Sequence, residues 1–127
     1  MKKLLLLCIL LLCACSSDKD VTINNVNKHK EYGTNEIPEE IQAVIKEDNY
    51  VILDVRTNGE YSESHVVDAI NIPYDQIDNS INIDKDKVIL VYCMSGRRSS
   101  IAFDTLTGLG YKVYDLGAFD DIGLEKE

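Results

Sequence analysis

Positive charge is scarce in this sequence: 13 Lys and Arg stand against 22 Asp and Glu, for a formal net charge of -9 over 127 residues. A protein that follows phosphate backbones needs Lys and Arg spread over a surface, so a general nucleic-acid binder is excluded and any basic site must be local. Histidine is rarer still. His29 and His65 are the only two, at no metal-ligand spacing, so no metal is expected. The single long apolar run, Leu4 to Leu12, is too short to span a bilayer comfortably. No internal repeat and no low-complexity tract beyond the leader is present, which excludes a solenoid. What remains is 45% hydrophobic and 28% charged, the make-up of one compact domain with one active site.

Met1-Lys2-Lys3 followed by Leu4 to Leu12 has the profile of a signal peptide. Its end, Leu12-Cys13-Ala14-Cys15-Ser16-Ser17, resembles the lipobox of bacterial lipoproteins, where an aliphatic residue, a free position and a small residue precede the acylated cysteine. This implies cleavage before Cys15, a lipid on Cys15, and an extracytoplasmic protein anchored to a bacterial membrane, at the cell surface or on the periplasmic side. Cys13 fits less well, because the bulky Leu12 would take the place of the small residue. A plain secretory signal or an uncleaved anchor is the alternative. Residues 1–14 are then a signal peptide, 15–33 a solvated, lipid-anchored tether, and 34–127 the folded domain. Losing Lys2 and Lys3 takes the formal charge from -9 to -11. Cys8 and Cys13 leave with the leader and Cys15 is capped, so Cys93 is the one free thiol and a candidate reactive group.

Within the domain, Asn35, Pro38 and Glu39-Glu40 mark a helix start, and Ile37, Ile41, Val44 and Ile45 share one face of a helix running to about Asp48. Tyr50 to Val55 and Lys87 to Tyr92 are continuous apolar strands of the kind buried on both faces of a parallel sheet. Between them the pattern predicts a turn at Asn58-Gly59, a helix over Glu60 to His65, a strand over Ala69 to Ile72 stopped by Pro73, and a helical stretch over Asp75 to Ile81. A helix over Ser99 to Leu109, ended by Gly110, and a strand over Lys112 to Leu116 complete the domain, before a short acidic tail. Strands alternating with helices predict an α/β fold with a mostly parallel central sheet and helices on both faces.

Cys93 follows the second apolar strand directly, at the carboxyl end where ligands bind in open α/β sheets. The residues Met94, Ser95, Gly96, Arg97 and Arg98 form a small flexible loop able to turn several N–H groups inward at the positive end of the next helix. That setting favours a nucleophilic thiolate with an anion cradle around it, and at least one of Arg97 and Arg98 is expected to face the loop and bind an anionic donor. Ser95 and Ser99 either offer hydroxyls there or only cap the helix.

The segment Val51-Ile52-Leu53-Asp54-Val55-Arg56, then Glu60-Tyr61, His65 and Ala69-Ile70-Asn71-Ile72-Pro73, resembles the signature of rhodanese domains. Cys93-Met94-Ser95-Gly96-Arg97-Arg98-Ser99 is similar to their active loop, and Gly110-Tyr111-Lys112-Val113 with Leu116-Gly117-Ala118 to their closing segment. The resemblance runs from about Glu36 to the C-terminus. It implies a rhodanese-like fold and a sulfurtransferase that needs no cofactor: Cys93 takes sulfane sulfur from a small donor such as thiosulfate, carries it as a persulfide, and passes it to a thiol or cyanide-like acceptor. An acceptor protein, if one exists, is not identified by the sequence. Asp54 and Arg56 match family positions and read as supporting residues, Asp54 accepting loop N–H bonds and Arg56 forming an internal ion pair. His65 reads as a packing or hydrogen-bonding residue. The sequence departs from the family at Asp68 and Ala118, where glycine is common, and it lacks a tryptophan near the end.

Two other functions compete. Phosphatases of this architecture place five residues between cysteine and arginine, but the sixth position after Cys93 is Ser99 and the arginines fall at the fourth and fifth, a smaller loop suited to a sulfur atom. A persulfide relay or binding module for a protein partner, without turnover of free donor, uses the same residues.

Overall fold

The computed structural model describes residues 36–127; the expected signal peptide, the expected lipid site at Cys15 and the expected tether lie outside the described residues. Helix α1 (Glu39–Glu47) begins after Pro38 with two acidic residues in its first turn, where they favour the positive helix end. It buries Ile41 and Val44, one turn apart, and each such side chain taken from water contributes about 1.5–3 kcal/mol. The chain then enters β1 (Tyr50–Asp54), α2 (Asn58–Glu63), β2 (Ile70–Asn71), β3 (Val88–Cys93), α3 (Arg97–Gly108) and β4 (Lys112–Ala118).

The four strands form one sheet in the order β2-β1-β3-β4, and every pairing is parallel. Alternation along β3 shows why its sequence is apolar throughout. Ile89, Val91 and Cys93 pack on the face covered by Ala102, Phe103 and Leu106 of α3. Leu90 and Tyr92 pack on the other face, under Ile41 and Val44 of α1. The sheet therefore carries helices on both sides, as the sequence pattern predicts.

One irregularity lies beside the site. Val91 pairs with Asp115 but Tyr92 pairs with Gly117, so Leu116 is an extra residue in β4. Gly117 takes φ 82, a left-handed value that glycine adopts freely, and its N–H donates to the buried Asp115 carboxylate at 2.9 Å.

Several local expectations are corrected. Asp75 to Ile81 is not helical: a single 3-10 turn covers Tyr74–Gln76, and Asp78 Oδ1 then accepts from the Ser80 N–H at 2.8 Å, a local bond that competes with helix formation. Ile77 and Ile83 reach the core from this loop. Asn58 and Gly59 form no turn but open α2, because Thr57 and Glu60 make a reciprocal capping box that starts the helix there. That helix stops at Glu63, leaving His65 outside it. The strand expected over Ala69 to Ile72 shrinks to Ile70–Asn71. The segment after β4 is tied down as well, with a 3-10 turn at Phe119–Asp121 and an antiparallel bridge from Lys126 to Val66.

Candidate active site

Parallel strands align their carboxyl ends, and here Asp54 pairs with Asn71 on one side and Tyr92 on the other, while Cys93 pairs with Ala118. The predicted residues Asp54, Arg56 and Cys93 thus come to one end of the sheet. Cys93 closes β3 and is fully buried.

Beyond Cys93 the chain turns through Met94 and Ser95, both exposed, to Gly96. Gly96 has φ 97 and ψ -15, a conformation in which a side chain would be strained, and it stands at the N-cap of α3. The turn aims the Gly96 N–H at Cys93 Sγ, 3.0 Å away. Ser99 is not a cap, since α3 begins at Arg97. It is buried in the first turn, where its hydroxyl donates to the Gly96 carbonyl at 3.1 Å and accepts from the Cys93 thiol at 3.5 Å.

The two arginines part company. Arg97 is exposed, whereas Arg98 turns toward α2 and donates through both terminal nitrogens to Glu60, at 2.8 and 3.0 Å. Glu60 Oε1 also accepts from the Thr57 N–H and hydroxyl, each at 3.1 Å. The Arg98 hydrogen bond, opposed by partial burial and aided by the Thr57 bonds, lowers the Glu60 carboxyl from 4.5 to about 2. Sequence reading did not find this pair. The Thr57-x-x-Glu60 capping pattern was the available signal for α2, but nothing local ties Glu60 to a residue 38 positions away.

Beneath the loop lies a second ion pair. Arg56 Nη2 approaches Asp54 Oδ2 at 2.6 Å, its Nε bonds both carboxylate oxygens at 3.0 Å, and its backbone N–H reaches Oδ1 at 2.9 Å. The expected bonds from loop N–H groups to the Asp54 carboxylate are not found among the described residues: it accepts instead the Arg56 backbone N–H and the side chains of Arg56 and Tyr92. The Tyr92 hydroxyl donates to Asp54 Oδ2 at 2.7 Å and accepts the Val66 N–H at 3.0 Å. Burial pushes that phenol well above its ordinary value. Burial alone would lower the Arg56 guanidinium, but the Asp54 hydrogen bond and charge outweigh it and raise the group. Arg56 also donates to the Ser64 carbonyl at 2.6 Å and lies over the Phe119 ring, 4.3 Å from its centre. Tyr92 directly precedes Cys93, so this network fixes the strand end from which the loop departs. His65 stacks on Tyr61 with ring centres 3.9 Å apart, and its Nδ1 lies 2.9 Å from the Tyr61 carbonyl oxygen. Among the described residues no three His, Cys, Asp or Glu side chains converge as a metal site requires.

A family model, the rhodanese-like domain, matches residues 37–122. Thiosulfate sulfurtransferase PspE of Escherichia coli (strain K12) is 37% identical over 78 residues, covering 58% of this chain and 75% of that protein. Thiosulfate sulfurtransferase GlpE of Coxiella burnetii is 34% identical over 84 residues, covering 64% of this chain and 78% of that protein. Among solved structures, one described as a rhodanese with anions from E. coli superposes with a TM-score of 0.57 at 34% identity, covering 61% of this chain and 96% of that one.

Proposed function

The chain belongs to the rhodanese-like domain family, and from that premise we propose that it is a sulfurtransferase whose Cys93 carries sulfane sulfur as a persulfide. The observation that carries the reading is the Gly96 N–H aimed at Cys93 Sγ from 3.0 Å, at the carboxyl end of β3 and the N-terminus of α3. Relatives named thiosulfate sulfurtransferase at 34% and 37% identity support the same reaction class.

With thiosulfate as donor, the Cys93 thiolate attacks the outer sulfur. A new S–S bond forms on Cys93 as the bond to the sulfonate sulfur breaks, and sulfite departs with the electron pair. The persulfide's terminal sulfur carries the negative charge; the Gly96 N–H and the Ser99 hydroxyl, both within reach of Sγ, support its stabilisation there. A thiol or cyanide-like nucleophile then attacks that sulfur and returns Cys93 as thiolate. Two displacements replace one direct transfer, and neither step needs a metal or organic cofactor. Cys93 is fully buried, next to the exposed Met94-Ser95 segment. Arg97 is the exposed cation that follows this segment.

The lipobox-like end at Cys15 supports delivery of this chemistry at the outer side of a membrane through a lipid on that residue. Intact mass of the mature protein after exposure to thiosulfate tests both parts. A sulfur adduct located at Cys93, with thiocyanate formation that vanishes in Cys93→Ser, is the expected result, and a lipid mass on Cys15 the second. A Cys93 left unmodified by excess thiosulfate and by an excess of an organic thiosulfonate would reject the reading.

A further inference from the structure

The charges around the loop sum to less than its two arginines suggest. Both terminal nitrogens of Arg98 are taken by Glu60, and Thr57 holds that carboxylate in place with two further bonds. Asp54 and Arg56 cancel one another in the layer beneath. Arg97 is exposed, and its side chain has no hydrogen bond or ion pair among the described residues. One net positive charge is left to meet a donor, on a chain whose total is -9.

We propose that Glu60 is a positioning residue that sets donor specificity: by holding and neutralising Arg98, it tunes the site toward organic sulfane-sulfur donors with one negative charge and away from dianionic thiosulfate. The inference rests on the sulfur-transfer reading of Cys93. With an organic thiosulfonate the reaction is balanced in the same way. The thiolate takes the outer sulfur, the S–S bond of the donor breaks, and a sulfinate leaves with the electron pair. The donor and leaving group each carry one negative charge where thiosulfate and sulfite carry two, so only the charge demand on the loop differs.

Glu60→Gln isolates that charge, because glutamine serves a capping box as glutamate does and keeps the start of α2 intact. Steady-state KM is measured for thiosulfate and for methanethiosulfonate at low ionic strength. The ratio of the thiosulfate KM to the thiosulfonate KM is expected to fall about fivefold in E60Q. Added salt should shrink the difference. The double variant E60Q/R98Q removes both charges and should bring the ratio back to within about twofold of the wild type. A ratio unchanged in E60Q, or both KM values rising together, overturns the inference while leaving sulfur transfer standing. If the wild type turns over neither donor, the sulfur-transfer reading fails instead. The charge is then read from alkylation of Cys93 by iodoacetamide: sulfate should protect E60Q at about fivefold lower concentration than the wild type, and equal protection overturns the inference.

Discussion

Ser99 Oγ lies 3.5 Å from Cys93 Sγ and 3.1 Å from the carbonyl oxygen of Gly96, so its single hydrogen is committed to that carbonyl while Cys93 is a thiol. Once the sulfur is anionic, rotation of the hydroxyl turns the same hydrogen toward it, and the Gly96 carbonyl keeps the Ser100 N–H at 3.1 Å. Ser99→Ala should therefore cost more in rate than in stability. We expect kcat/KM for sulfur transfer to fall about tenfold, and unfolding free energy in urea to drop by about 1 kcal/mol. Unchanged turnover would leave Ser99 a packing residue only.

Gly96 carries two requirements at once, a positive φ of 97 and an N–H aimed at sulfur. A Cβ at this position adds backbone strain of about 1–2 kcal/mol. The chain relieves that strain by rotating the loop, which swings the N–H off Cys93. In Gly96→Ala the persulfide yield should fall while the circular dichroism spectrum stays native, whereas Gly110→Ala, also at positive φ but outside the loop, should lose stability without losing yield.

Arg56 and Asp54 are both essentially unexposed, and a buried pair is costly mainly when one partner is removed. Arg56→Met leaves the Asp54 carboxylate without its counter-charge and removes the donor to the Ser64 carbonyl. Stability should drop by about 3–5 kcal/mol, read as a lower urea midpoint. Replacing Asp54 with Leu in the same chain should recover part of that loss. A double variant no better than the single would show that the cost lies in packing against Phe119.

The β1 and β3 strands were legible because burial on both faces demands an unbroken apolar run, and the loop was legible because Cys93 follows such a run directly. Asp75 to Ile81 was misread because its isoleucines have a helical spacing although Asp78 and Ser80 bond locally and turn the chain. The two-residue β2 carries too few side chains to produce a pattern. Pairing of Arg98 with Glu60 depends on the tertiary approach of α2 to α3, and no periodicity encodes it. The same holds for Tyr92, whose place in an apolar strand conceals that its hydroxyl joins the Asp54 network.

Glu60 also makes a pH prediction. Its carboxyl is lowered from 4.5 to about 2 in the folded chain, chiefly by the Arg98 hydrogen bond. A depressed carboxyl stabilises the fold above its unfolded value and loses that contribution as pH falls through the folded one. The wild type should therefore exceed E60Q in urea stability near neutrality. The gap should narrow from pH 4.5 downward and close near pH 2. A gap that stays constant across this range would assign the effect to shape and not to charge.

Asp68 and Ala118 both stand where glycine is common in the family, yet their backbones differ. Asp68 has φ 69, in the left-handed region, while Ala118 has φ -88, which any residue adopts. Glycine relieves strain at Asp68 but also loosens the unfolded chain, two effects of similar size. Strain should win there, because a left-handed residue costs about 1–2 kcal/mol and aspartate escapes only part of it. Asp68→Gly should then gain about 0.5 kcal/mol. At Ala118 nothing is relieved, so Ala118→Gly should lose about 0.4–1 kcal/mol from the unfolded-state term alone. Thermal unfolding of the two variants checks the pair: opposite signs are expected, and losses in both would mean that the turn at Asp68 is held by its side chain.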